Sequence, residues 1–256
     1  MGSLDHPHAR RAGAAGYPAA AGQIGARPLL RRYEVTGTSA DGRRQTFVRA
    51  MPADPHLDEA FAAFSHGTLI ATADGPVAVE DLQPGMALAT VDAGPRRLMW
   101  IGSTVLAPNA EGRPQDTPVL TRVTADSLGL GRPMPDLVLG PRARMLFRHP
   151  ACRDLVGSDA AFAPASSFVD GVALIALRAV RPTRVFHLAL ESQHILRANG
   201  VEVESYHPGE SADKVMDYAA RLKFLALFPH LDGFDGFGPM PLPRLTAFEM
   251  DAMRAA

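Results

Sequence analysis

Few side chains in this sequence could carry chemistry, and their spacing decides which reactions are open. Ser65 and His66 stand together just outside a strand entrance. A serine hydroxyl becomes a nucleophile only beside a base, whereas a thiol of pKa about 8.5 is already a few per cent thiolate at neutral pH. His149, His187 and His194 are the rings that could serve as acid or base. His187 is flanked by Phe186 and Leu188, as a structural ring in a core would be, and His194 stands at the mouth of a hairpin. Thr121 and Thr124 lie on a strand, where threonine is common for reasons of shape alone. Glu80-Asp81 has the look of a paired acid site, yet the adjoining turn accounts for an aspartate there. Cys152 follows Pro150 in an apparent loop, and nothing around it argues for a lowered pKa. A serine hydrolase acting on outside substrates has no motif support: G-x-S-x-G is absent, and Gly157-Ser158-Asp159 has no motif around it. No histidine pair at i, i+4 on a helix and no cysteine cluster occurs, so neither a metal nor any other cofactor is expected.

Composition narrows the classes further. The chain has 256 residues, 46% of them hydrophobic, enough for a sizeable core in one large or two small domains. A formal net charge of -1 gives no long-range pull toward nucleic acid or an anionic membrane surface. No apolar run reaches about 18 residues, so no membrane insertion is expected. The single cysteine excludes an intramolecular disulfide and suits a reducing compartment. After Arg10-Arg11, glycine and proline keep interrupting the text, so no signal peptide is read; the expected location is cytoplasmic, or outside by a non-classical export route.

The elements that must position the reactive residues are mostly short strands. Residues 1–27, rich in Ala, Gly, His and Arg without apolar period, read as a disordered leader. Tyr33 and Val35 alternate with polar neighbours, Ser39 to Gly42 turns, and Thr46, Val48 and Ala50 alternate again, which predicts a hairpin. Pro55 opens a short helical segment from His56 to Phe64. Gly67 to Thr72, Asp74-Gly75, Val77 to Glu80 and Gln83-Pro84-Gly85 then form a meander. A long strand is expected over Arg97 to Leu106, and a variable loop over Asn109 to Thr117. Asp136 to Phe147 reads as strand, Gly-Pro corner, strand. His194 to Ser205 reads as a hairpin turning at Asn199-Gly200. In the tail, Ser211 is a candidate N-cap for a helix with a stripe of Val215, Met216, Ala219, Leu222 and Leu225 or Ala226. A last helix is expected over about Leu245 to Met253.

Several of these stretches, in order, resemble the Hint domain, the self-processing module of hedgehog proteins and inteins, and especially a bacterial branch reading C-F-x-x-G-T-x-I-x-T, D-G, V-E-D-L-x-P-G-D and W-I-G. The matching text is Ala63-Phe64-Ser65-His66-Gly67-Thr68-Leu69-Ile70-Ala71-Thr72, Asp74-Gly75, Val79 to Met86 and Trp100-Ile101-Gly102. The later segments Phe186-His187-Leu188, His194, Ala198-Asn199-Gly200 and Glu204-Ser205 extend the resemblance over residues 63–206. It implies a mainly β, Hint-like module in which a first Cys or Ser attacks the preceding carbonyl and a mid-chain His of a T/S-P-x-H motif protonates the departing nitrogen. Carried over, the nucleophile position is Ala63 and the histidine position is Ala143, within Gly140-Pro141-Arg142-Ala143. The closing His-Asn pair needed for splicing is replaced by Glu204-Ser205.

The expected organisation is a leader (1–27), a hairpin and short helix (28–62), the Hint-like module (63–209) and a helical extension (210–256). The expected function is a degenerate autoprocessing module acting as a binding or assembly scaffold, with an unidentified protein as the partner class. The alternative is slow self-cleavage at Phe64-Ser65 by an N-to-O acyl shift, with Ser65 as nucleophile and His194 or His187 assisting.

Overall fold

The computed structural model describes residues 30–39, 41–108 and 117–255. The segment read as a leader and residues 109–116 of the expected variable loop lie outside them. The first strands are β1 (Leu30–Thr38), β2 (Arg44–Pro52), β3 (Phe64–Ser65), β4 (Leu69–Thr72), β5 (Gly75–Ala78), β6 (Ala87–Thr90), β7 (Gly94–Arg97) and β8 (Trp100–Leu106). They continue as β9 (Val119–Val123), β10 (Leu137–Leu139), β11 (Arg144–Arg148), β12 (Ala160–Pro164), β13 (Leu174–Arg178), β14 (Thr183–Ala189), β15 (Ile195–Ala198) and β16 (Val201–Glu204). The helices are α1 (Pro55–Glu59), α2 (Ala151–Val156), α3 (Ala212–Val215), α4 (Tyr218–Leu225) and α5 (Ala247–Ala255). None is long and apolar enough to cross a membrane.

Two antiparallel sheets result. One runs β13-β9-β10-β3-β14-β8-β1-β2, the other β12-β11-β16-β15-β4-β6-β7 with β5 paired to β4. The chain changes sheet at Leu98-Met99, where Leu98 N–H donates to Met86 O at 2.8 Å and Met99 N–H to Ala189 O at 3.0 Å. That crossing is why the expected single strand over Arg97 to Leu106 is two strands in different sheets. The turn at Asn199-Gly200 has positive φ at both residues, as a two-residue hairpin requires.

The main apolar core contains Phe64, Ile70, Leu88, Leu98, Leu137, Leu139, Leu188, Leu196 and Val203. A second, aromatic core joins the two ends of the chain: Tyr33, Val35 and Phe61 from the first hairpin and helix meet Trp100, Tyr206, Phe224, Leu227 and Phe228. Trp100 stacks on Phe228 at 4.5 Å, meets Phe61 edge-on at 5.2 Å, and donates its indole N–H to Leu227 O at 2.7 Å. The W-I-G motif acquires a steric reason here. A Cβ at Gly102 would lie 2.1 Å from the Trp100 ring and 2.6 Å from Phe61, so only glycine leaves room for the indole.

Several helix boundaries differ from expectation. α1 ends at Glu59 because Ala62 to Ser65 is taken up by β10 and β14, Phe64 facing Leu139 and Phe186 across the ladders. The tail helix expected from Ser211 is broken at Met216-Asp217: Ser211 makes no side-chain cap, whereas Asp217 caps α4 by accepting from Ala220 N at 2.7 Å. The break rotates the stripe, so Val215 and Leu222 are exposed and Phe224, Leu227 and Phe228 are buried. α5 starts at Ala247, two residues later than expected, after a Thr246/Glu249 capping box. Cys152 is fully buried in α2 rather than in a loop.

Candidate functional site

The junction at Ala63 is built by three strands and one glycine. β3 lies between β14 and β10, with Val185 opposite Ser65 and Leu139 opposite Phe64. Ala63 N–H donates to Phe186 O at 2.9 Å, Gly140 N–H to Ala63 O at 2.7 Å, and Arg142 N–H to Ala62 O at 2.9 Å. A Cβ at Gly140 would sit 2.3 Å from the Ala62 carbonyl oxygen, so only glycine lets the 140–143 corner close on that peptide. The Ala62 carbonyl, the group an attacking residue 63 would address, thus carries a backbone donor where negative charge would develop in an acyl shift. The two positions that the resemblance assigns to the attacking group and the acid hold alanines. Ala63 and Ala143 are 1% and 2% exposed and belong to the same apolar core, and a methyl group can neither attack a carbonyl nor deliver a proton. Sequence reasoning missed Arg142, because its contribution is a main-chain N–H that no side-chain motif encodes.

Ser65 is 6% exposed, and its hydroxyl oxygen has no hydrogen-bond partner. Its carbonyl accepts from Thr68 Oγ1 at 2.7 Å and Thr68 N at 3.1 Å, which closes the His66-Gly67 turn. Glu80 braces the same turn by accepting from Gly67 N at 2.9 Å and facing His66 Nδ1 at 3.3 Å. Part of the V-E-D-L motif therefore acts on architecture. No base touches the Ser65 hydroxyl, the condition a serine nucleophile needs.

His187, 5% exposed, is wedged edge-on between Phe64 at 5.5 Å and Tyr206 at 5.1 Å, and its Nδ1 accepts from Leu188 N at 3.1 Å. Burial, reinforced by the positive charges of Arg244 and Arg144, pushes its pKa down to about 3, so the ring is neutral near pH 7. His194 is oriented on both sides: Nδ1 lies 2.8 Å from Asp92 Oδ2 and Nε2 3.0 Å from Ser192 Oγ. Its main-chain N–H donates to Ser205 Oγ at 2.8 Å, and Asp92 Oδ1 accepts from Ile195 N at 2.9 Å. The hydrogen bonds of His194 thus go to Asp92, Ser192 and Ser205, and none reaches Ser65. Asp92 and Ser192 were not read from the sequence; an aspartate in the β6–β7 turn and a serine two residues before the histidine were the available signals.

The other reactive residues have structural partners. Thr124 Oγ1 donates to Ala173 O at 3.1 Å, Thr121 is buried on β9 opposite Leu139, and His149 Nδ1 accepts from Ala151 N at 3.2 Å beside α2. No group of three or more His, Cys, Asp and Glu among the described residues could hold a metal ion. Glu204, 3% exposed, stands where splicing relatives would place the closing pair. It is held by Arg244 at 2.8 Å and Arg144 at 3.5 Å and also accepts from Gln193 Nε2. Arg144 also reaches Glu59 at 2.7 Å, so one half-buried network around the buried Glu204 ties α1, β11, β16 and the tail together.

No curated protein matches the chain. Two solved structures that match are the solution structure of a bacterial intein-like domain from Clostridium thermocellum and the AceL NrdHF class 3 split intein in a GSH-linked, splice-inactive variant. The first is 13% identical with a TM-score of 0.39, the alignment covering 57% of this chain and 99% of that one. The second is 10% identical with a TM-score of 0.39, covering 56% and 97%. The family model described as the Hint domain matches residues 62–210, more than half of the sequence. That span runs from the Ala62 carbonyl through the Gly140 corner to the hairpin beyond His194, and the chain belongs to the Hint domain family.

Proposed function

We propose that this Hint module serves as a binding or assembly scaffold and does not cleave itself. One observation carries the reading: the motif positions for nucleophile and acid are two alanines buried in a single apolar core, beside a carbonyl that still receives a backbone donor. A positioned acid or base contributes roughly a hundred to ten-thousand-fold, and without the nucleophile there is no acyl shift to accelerate. The flanking segments support the reading, because Tyr33, Val35 and Phe61 on one side and Met216, Phe224, Phe228 and Phe237 on the other share one aromatic core with Trp100 and Tyr206 of the module. The partner class is a protein.

Slow cleavage at Phe64-Ser65 is the competing reading. It requires the Ser65 hydroxyl to attack the Phe64 carbonyl with His187 or His194 assisting, and the missing hydrogen bond at Ser65 Oγ speaks against it. Intact-mass measurement of the full chain over days, with and without hydroxylamine, decides between the two. An unchanged mass in wild type and Ser65→Ala is expected. Fragments dividing at 64/65 that vanish in Ser65→Ala would establish self-cleavage and end the scaffold reading.

A further inference from the structure

Outside the junction, one cluster has the arrangement of a reactive serine. Asp92, Ser192 and His194 lie in line: Asp92 Oδ2 is 2.8 Å from His194 Nδ1, and His194 Nε2 is 3.0 Å from Ser192 Oγ. The order of donors follows from the partners. A carboxylate only accepts, so Nδ1 carries the proton, and Nε2 of the neutral ring is left to accept from the Ser192 hydroxyl. Asp92 is itself fixed by Ile195 N–H on its other oxygen, and His194 by Ser205 on its main chain. The base is oriented by a third group that is anchored in turn, which is how such constellations are recognised whatever their order in the sequence. Ser192 is half-buried and His194 buried, whereas Ser65, the other serine considered as a nucleophile, has no base at all.

Glu191, the residue before the serine, lines a cavity of about 440 Å³ whose wall includes none of Asp92, Ser192 and His194. His230, Asp232 and Asp235 also line it, with Met99 and Gly236, and no lysine or arginine does. Both ring nitrogens of His230 are buried without a partner, an unmet hydrogen-bonding demand in the cavity wall. The 233–238 strap forms the adjoining wall. A Cβ at Gly238 would lie 2.3 Å from Glu191 O and 3.0 Å from Ser192 Cβ, so the strap is pressed directly onto the reactive segment.

We propose that Ser192, His194 and Asp92 form an acyl-transfer site that hydrolyses small carboxylic esters. Ser192 Oγ bonds to the ester carbonyl carbon while its proton passes to His194 Nε2. The carbon–oxygen or carbon–sulfur bond to the leaving group then breaks, and that group takes the proton from Nε2. Water, deprotonated by the same nitrogen, cleaves the acyl-Ser192 bond and regenerates the hydroxyl, so one ester and one water give one acid and one alcohol or thiol. Asp92 is a positioning residue that holds the ring in the tautomer with a free Nε2. The site shares no residue with the junction at Ala63, so its failure leaves the reading of that junction untouched.

The test uses the full chain with a biotinylated fluorophosphonate, which loses fluoride when a serine oxygen bonds to phosphorus, and with acetylthiocholine and p-nitrophenyl acetate as substrates. Expected are a single label mapped by peptide mass spectrometry to Ser192, no label in Ser192→Ala, and full labelling in Ser65→Ala. Asp92→Asn should label at least ~100-fold more slowly with unchanged Trp100 emission, because the amide permits the wrong tautomer. Absence of labelling, labelling elsewhere, or labelling of Asp92→Asn at the wild-type rate in a folded chain would overturn the proposal.

Discussion

Acid should expose His187 as a weak point of the fold. In the native chain burial and the charges of Arg244 and Arg144 hold its pKa near 3, against 6.5 for the exposed ring of the unfolded chain. Between those two values the unfolded state binds a proton that the native state refuses, so stability falls as pH falls through that window and is unaffected by this ring above it. At pH 5 the window has been entered by 1.5 units, which at 1.36 kcal/mol per unit amounts to about 2 kcal/mol. Glu59 and Glu204 face the same network, and burial depresses His230 to about 4 and lowers His207; these contributions are shared by wild type and His187→Gln and cancel in their difference. Glutamine keeps an acceptor for Leu188 N–H and takes no proton. Urea unfolding followed by emission of Trp100, the only tryptophan, near pH 7.5 and near pH 5 should show wild type losing about 2 kcal/mol more than His187→Gln. Equal losses within about 0.5 kcal/mol would refute the account of His187 as a buried neutral ring.

Three further perturbations address the junction and the two cores. Ala63→Cys with Ala143→His should restore hydroxylamine-dependent cleavage between residues 62 and 63, read by intact mass after denaturation, with Ala63→Cys alone ~100-fold to 10,000-fold slower; a folded double variant that stays whole would show that more than these two side chains is missing. Gly102→Ala places a methyl 2.1 Å from the Trp100 ring and should cost at least ~1–3 kcal/mol in urea unfolding, an unchanged midpoint contradicting the packing argument. Arg244→Ala leaves the buried Glu204 with Gln193 Nε2 and, as its only nearby cation among the described residues, the more distant Arg144, and should cost ~3–5 kcal/mol, a loss below ~1 kcal/mol meaning that these two partners suffice.

What the sequence disclosed follows from the range of the forces involved. Asn199-Gly200, the Gly-Pro corner at 140–141 and the alternation of Tyr33 and Val35 are local, and each appears in the structure where short-range turn chemistry and period-2 patterning place it, whereas Val79, read with Val77 as one alternating run, opens a 3-10 turn (Val79–Asp81). The tail was misjudged because its apolar spacing fits a single helix, whereas the aromatic core draws in Phe224, Leu227 and Phe228 and the Asp217 cap restarts the helix on a new face. Glu59, Arg144, Glu204 and Arg244 are charged residues scattered over some 185 positions, and only the fold reveals them as one network around the buried Glu204. Asp92 and His194 are 102 residues apart, so the sequence could nominate the histidine but not the carboxylate that orients it.

The two ends of the chain bear directly on what the junction could accomplish. β1 pairs with β8 from Tyr33 opposite Thr104 to Gly37 opposite Trp100, Tyr33 is buried against Phe61, and Phe61 against the indole. Everything from β1 to Ala62 is therefore part of the folded body. Burial of each large aromatic side chain contributes ~1.5–3 kcal/mol, and the ladder bonds add to it, so breaking the 62–63 bond would leave the upstream piece docked. A self-cleaving module whose upstream product stays in its own core liberates nothing, which fits a scaffold better than a processing enzyme. The rebuilt Ala63→Cys, Ala143→His chain makes the point measurable. Once cut it should run as one species of full-length size in native gel filtration and separate only in urea. Release of the upstream fragment in native buffer would show that the shared aromatic core is too weak to hold the ends together.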